Sequence, residues 1–159
     1  MTNTNTRLRR GRHLVVIDIE NIVGTATPSL PEVFAAIQGL RQALVGFDSA
    51  QKVWACSHRA ARTVAFSAAP DRHLWNSGPD GADQALLGVL DSEHIEDRYE
   101  RVTVCSGDGI FAESVARLAG HGIAVGVAGI AGRISARLRL AAHEVTDLHG
   151  VRSALGTAS

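Results

Sequence analysis

Apolar and polar residues alternate in two rhythms along this chain. Short continuous apolar runs at His13–Ile17, Lys52–Cys56, Val102–Cys105 and Ile123–Val127 have the length and β-branched content of buried strands. Between them, apolar residues recur at helical spacing. Val33, Phe34, Ile37, Leu40, Leu44 and Val45 mark a first helix, with Pro31 suited to its first position. Ala82, Ala85, Leu86, Val89 and Leu90 mark a second, and Phe111, Val115 and Leu118 a third. An Ala/Arg stretch from Ser57 to Phe66 is also expected to be helical, and Ser135 to cap a last helix carrying Leu138 and Ala142. His73–Trp75 and Glu144–Thr146 are short strand candidates, and the cluster Asn76–Gly81 reads as a loop.

Strands that alternate with helices, and are apolar throughout, predict a parallel sheet covered on both faces. Right-handed crossovers narrow this to a doubly wound α/β domain with strand order 3-2-1-4-5, five- or six-stranded if the last candidate joins the edge. Residues 13–148 are expected to form that domain. The polar, arginine-bearing segment 1–12 is expected to be a flexible basic arm and 149–159 a flexible tail.

At 159 residues the chain suits one domain. No apolar run reaches the ~20 residues that cross a bilayer, and the polar start lacks the apolar centre of a signal peptide, so a cytoplasmic protein without membrane association is expected. Sixteen basic and sixteen acidic residues cancel. Net charge therefore makes no case for a nucleic-acid partner, but distribution does more: Arg133, Arg137 and Arg139 cluster near the end, and arginine suits bidentate phosphate contact. Cys56 and Cys105 each end a strand-like run with no metal spacing, which predicts buried free thiols on non-adjacent strands.

The candidate chemistry lies at strand ends. The first apolar run delivers Asp18, with Glu20 and Asn21 just beyond. The run Val102–Cys105, the fourth strand in chain order, delivers Ser106-Gly107-Asp108. In an open α/β sheet, ligands bind outside the carboxyl ends of the strands where the strand order reverses, which here lies between strands one and four. Carboxylates gathered in a partly dehydrated crevice repel one another unless a cation compensates, and oxygen-only ligands favour Mg²⁺ or Mn²⁺. Asp83, opening the helix after the Gly-rich loop, is the expected third acid, and Glu20 and Asp80 are further ligand candidates. The scattered histidines form no zinc site. The pattern Asp18-Ile19-Glu20 is similar to the nucleophile motif of haloacid-dehalogenase-like phosphatases, but its second acid is Glu and the only lysine is Lys52.

Together these motifs resemble the NYN domain, a branch of the PIN-like nuclease superfamily. Its pattern is an apolar strand ending in Asp-x-x-Asn, a Gly-x-Asp-x-x-Leu helix start, a strand ending in Ser-Gly-Asp, and a closing Ser/Leu-rich helix. This chain supplies Asp18 and Asn21; Gly81, Asp83 and Leu86; Ser106, Gly107 and Asp108; then Ser135 and Leu138. The resemblance implies a Rossmann-like, PIN-like three-layer sandwich. It also implies a metal-dependent ribonuclease in which Asp18, Asp83 and Asp108 hold Mg²⁺ or Mn²⁺, with Asn21 and Ser106 orienting water or phosphate. Single-stranded RNA is the implied partner, tracked by Arg133, Arg137 and Arg139. Many members carry a second Asp where this chain has Ile110, so Glu20 or Asp80 would substitute, or the domain would be a catalytically weak or inactive RNA- or protein-binding module. A small phosphatase is a third alternative, and a homodimer is compatible with so small a nuclease.

Overall fold

A computed structural model describes residues 8–68 and 70–149. Its centre is a six-stranded, all-parallel sheet in the order β3-β2-β1-β4-β5-β6. The strands are β1 (His13–Asp18), β2 (Gln51–Cys56), β3 (Arg72–Trp75), β4 (Arg101–Cys105), β5 (Ala124–Ile130) and β6 (Glu144–Leu148). The helices are α1 (Ile19–Val23), α2 (Leu30–Ala43), α3 (Ala61–Ser67), α4 (Gly81–Ser92), α5 (Ile95–Arg98), α6 (Ala112–Gly120) and α7 (Ala136–Ala141), with a 3₁₀ turn at Gly109–Phe111. The expected doubly wound, Rossmann-like sandwich is the observed one, and the weak sixth strand is its outer edge.

Strand pleating sorts each run into two cores. Leu14, Val16, Val53, Val102, Val104, Val125 and Val127 pack under α4 and α6. Val15, Ile17, Trp54, Cys56, Cys105 and Ala128 pack under α1 and α2 on the opposite face. Because both faces are covered, the central strands are apolar at every position rather than at alternate ones. The cysteines are free and buried, with β1 between their strands.

Several boundaries differ from the sequence reading. Helix α2 starts one residue before Pro31, at Leu30, because Ser29 and Glu32 form a reciprocal capping box. Within the same stretch Phe34 and Val45 are exposed, since only Val33, Ile37, Leu40 and Leu44 share the buried face. Residues 8–12 are folded into the domain: Arg9 donates to the Glu96 carbonyl, and the Arg12 guanidinium lies 4.9 Å from the Tyr99 ring centre. Residues 8–12 therefore do not form the expected arm, and the rest of that arm, 1–7, and of the expected tail, 150–159, lies outside the described residues. Among the described residues no helix is long and apolar enough to cross a membrane.

Candidate functional site

Strands β1 and β4 are neighbours with Ile17 opposite Cys105, so Asp18 and Ser106 leave the sheet side by side. This is the point where strand order reverses. Beyond Asp18 the chain turns at once into α1, and Asp18 Oδ1 caps that helix by accepting from the Asn21 amide at 3.2 Å. Glu20 and Asn21 thus project from a helix rather than from a strand. Asn21 Oδ1 accepts from the Gly107 amide at 2.9 Å, and Ser106 Oγ donates to Asp18 Oδ2 at 3.3 Å while accepting from the Asp108 amide at 3.2 Å. These bonds lock the two strand ends together.

Gly107 is required where it stands: a Cβ there would collide with the Arg133 carbonyl, which closes over it from the β5–α7 loop. The Ser135 amide donates to the Gly107 carbonyl at 2.9 Å from the same side. Gly81 has the same role at the start of α4, where a Cβ would meet the Asn76 carbonyl at 2.6 Å. That close approach brings the first turn of α4, and Asp83 with it, against the end of β1.

Asp18 and Asp83 are both buried, at 5% and 8% exposure. Their carboxyls lie close enough that each shifts the titration of the other. Burial, then the charge of Asp83, pushes the Asp18 carboxyl up to about 8. Burial also raises Asp83, and the charges of Asp108, Asp80 and Glu20 add to that while its contact with Asp18 opposes it. Asp83 Oδ1 is buried with no hydrogen-bond partner among the described residues. None of the ion pairs among those residues reaches Asp18, Asp83 or Asp108. Among the described residues no cation offsets the charge of the pair.

Asp108 stands at the rim. It is exposed, and its Oδ1 caps the 3₁₀ turn by accepting from the Ile110 amide at 2.9 Å. Among the described residues no group of three or more His, Cys, Asp or Glu side chains is arranged to hold a metal ion. The three expected ligands are thus two facing carboxylates and a third within electrostatic reach. That set still fits a hard cation such as Mg²⁺, which typically takes one or two carboxylates and completes its shell with water and substrate phosphate. All donors are oxygen, and the orphaned Asp83 Oδ1 is a buried acceptor in want of a positive partner.

The other expected residues divide. Asp80 has a left-handed backbone (φ 60°) and makes no side-chain cap to α4. Glu20 Oε1 accepts from the Ser57 amide at 2.8 Å, turning it toward β2. Arg133 and Arg137 are exposed, whereas Arg139 is half-exposed and paired with Asp147 of β6. Ile110 is exposed and lines a cleft between α4 and α6 with Gln84, Leu87 and Glu113. A second cleft of about 420 Å³ opens on the β2 side of the acids, lined by Glu20, Ser57, His58, Arg59, Ser77 and Asp80 among others. Sequence reasoning missed Ser57, His58 and Arg59 by running a helix through them. The strand-end rule that found Asp18 would have found them, since these residues follow β2 directly.

No family model matches the chain, and no curated protein matches it. A crystal structure of a protein of unknown function from Vibrio parahaemolyticus is similar, with a TM-score of 0.60 and 16% identity over 95% of this chain and 98% of that one. Likeness at that identity shows the fold alone.

Proposed function

We propose that the chain is a metal-dependent ribonuclease hydrolysing phosphodiester bonds of single-stranded RNA. One observation carries the reading: a buried pair of carboxylates, Asp18 and Asp83, with no cation partner among the described residues, at the reversal point of the sheet with Asp108 at its rim. Paired charges of one sign are costly in a core, and they persist where a cation or a proton balances them. The resemblance of Asp18/Asn21, Gly81/Asp83 and Ser106/Gly107/Asp108 to the NYN pattern supports RNA as the substrate class.

Asp18 and Asp83, with Asp108, would hold Mg²⁺ or Mn²⁺. When bound, such an ion lowers the pKa of a coordinated water and offsets charge on a scissile phosphate. The chain's own residues set the conditions. The proton that Asp18 retains up to about pH 8 must leave before a cation binds there, so cation affinity rises with pH. Ser106 and Asn21 act as positioning residues: one fixes Asp18 Oδ2 and the Asp108 amide, the other ties α1 to Gly107. Arg133 and Arg137, exposed beside the Gly107 loop, supply positive charge for the RNA backbone, and affinity falls as salt rises.

Incubation of the chain with end-labelled RNA and Mn²⁺ tests this. Cleavage should stop with EDTA and in Asp83→Asn; cleavage that survives Asp83→Asn would remove the assignment. A second reading, a non-catalytic binding module, is favoured by the exposed Ile110 at the place of a further acid. It predicts RNA or protein binding with no measurable Mn²⁺ uptake by calorimetry.

A further inference from the structure

We propose that the cleft on the β2 side of the acids seats the nucleotide flanking the scissile bond, with Arg59 taking its phosphate and Asp80 its ribose 2′-hydroxyl. The inference rests on the ribonuclease reading for its substrate class and goes beyond it in naming a second side of the site.

The two clefts beside the acids differ in what they offer an anionic strand. In the α4–α6 cleft, of about 470 Å³, the basic residue is Arg117, and it is engaged: it donates to the Leu90 carbonyl at 2.7 Å and pairs with Asp91 at 3.2 Å and Glu96 at 3.7 Å. The rest of that lining includes Glu113 and Asp91, so little positive charge remains for phosphate. In the β2-side cleft, Arg59 is exposed and makes no ion pair or hydrogen bond among the described residues. A free guanidinium on a concave wall suits bidentate contact with a phosphate.

The wall is also built rather than loose. The Glu20 carboxylate bonds the Ser57 amide, and Ser77 Oγ bonds His58 Nδ1 at 2.7 Å, which ties the β2–α3 loop to the β3–α4 loop. Asp80 sits in that second loop, exposed, with its carboxylate free of hydrogen bonds among the described residues. A carboxylate accepts from a hydroxyl and repels a phosphate. Arg59 and Asp80 in one cleft therefore sort a nucleotide by its parts, and an acceptor facing the 2′ position distinguishes RNA from DNA.

The sheet supplies the alignment. The ends of β2, β1, β4 and β5 follow in order across the sheet, so the segments that carry Arg59, Asp18, Asp108 and Arg133 leave it in that order. A strand crossing the sheet's carboxyl end would meet positive charge on either side of the cut.

Fluorescence anisotropy of a labelled single-stranded RNA and its DNA counterpart, with the full chain in EDTA, tests the assignment apart from cleavage. Arg59→Ala is expected to weaken both polymers about five- to tenfold and to reduce the salt slope by about one. Asp80→Gly, which keeps the left-handed backbone, should narrow the preference for RNA over DNA by about fivefold. Arg62→Ala, an exposed change on α3 that does not line the cleft, should bind as wild type. Unchanged binding by Arg59→Ala, or no RNA binding by the wild-type chain at low salt, overturns the proposal. If Mn²⁺-dependent cleavage is lost in Asp83→Asn while Arg59→Ala binds normally, the subsite fails and the ribonuclease reading stands. If no cleavage occurs but Arg59→Ala still weakens RNA, the reading fails and the subsite stands.

Discussion

The two ends of the parallel sheet treat charge in opposite ways. At the amino end, where His13, Arg101 and Ala124 begin their strands, charged and polar groups have partners: Arg101 pairs with Glu144, Lys52 with Asp71, Arg12 with the Tyr99 ring, and His13 Nε2 bonds Thr103 Oγ1 at 2.8 Å. The cleft there, about 380 Å³, is bordered by Arg12, His13, Glu100 and Arg101, each of which already has a partner. At the carboxyl end Asp18 and Asp83 face each other with no positive group, and Arg59 and Arg133 stand unpaired among the described residues. Unpaired charge concentrated at one end of the sheet marks where an outside partner belongs.

The sharpest way to break this contrast is to neutralise one acid without changing its shape. Asp83→Asn should lower Mn²⁺-dependent RNA cleavage by at least about 100-fold. At pH 8 it should also raise the thermal midpoint of the metal-free chain, because the repulsion is gone. A variant that loses activity and stability together would show the pair to be a structural element instead. Next in size is Gly107→Ala. Its Cβ would displace the Arg133 carbonyl and the loop that locks β4 to β5, costing about 1–3 kcal/mol in denaturant unfolding. Full stability in this variant would mean that the loop is not the clamp described.

Protonation distinguishes the two ends by sign. An ordinary Asp titrates at 3.8, and Asp18 is held up to about 8, so its contribution to stability is complete below about 4 and is lost as pH rises toward 8. His13 is lowered from 6.5 to about 4, chiefly by burial and then by Arg101 and Lys52, so its contribution is lost in the other direction, as pH falls from 6.5 toward 4. Of these two, only Asp18 changes its contribution between about pH 6.5 and 8. In EDTA the thermal midpoint should fall across that window in the wild type and stay level in Asp18→Asn. Mn²⁺ should raise the midpoint more at the upper end of the window than at the lower. A level wild-type profile would mean that the pair is already ionised and compensated.

The same contrast explains what the sequence made legible. Strands β1, β2 and β4 announce themselves as apolar runs because both sheet faces are covered, and Asp18 and Asp108 are visible as the first polar acids at their ends. Helix α1 was hidden because Ile19, Ile22 and Val23 prolong the apolar pattern of β1 without a break. Strand β5 runs past Val127 to Ile130 because Gly129 lets the backbone pass Ile134 and the Gly107 amide closely; in sequence the glycine resembles a turn. Helix α5 lies within the acidic stretch 91–100, where no apolar period reveals four residues. Arg139 looked like Arg133 and Arg137 until β6 placed Asp147 beside it. That Arg59 is free and Arg139 is not depends on tertiary pairing, which local spacing does not encode.

The smallest expected effect tests the quiet end. Thr103 is buried, and its hydroxyl is the partner of His13 Nε2, so Thr103→Val keeps the shape and leaves a half-buried ring nitrogen unpaired. The cost should be about 1 kcal/mol, or a few degrees in thermal midpoint for a chain of this size. Cleavage should be unchanged, because His13 lies five residues before Asp18 on the same strand, roughly 17 Å at about 3.3 Å per residue, and shares no hydrogen bond with the acids. A loss of cleavage larger than the lost stability accounts for would join the two ends through β1 and β4. The amino end would then be part of the site's support, and the division between a satisfied end and a reactive one would no longer hold.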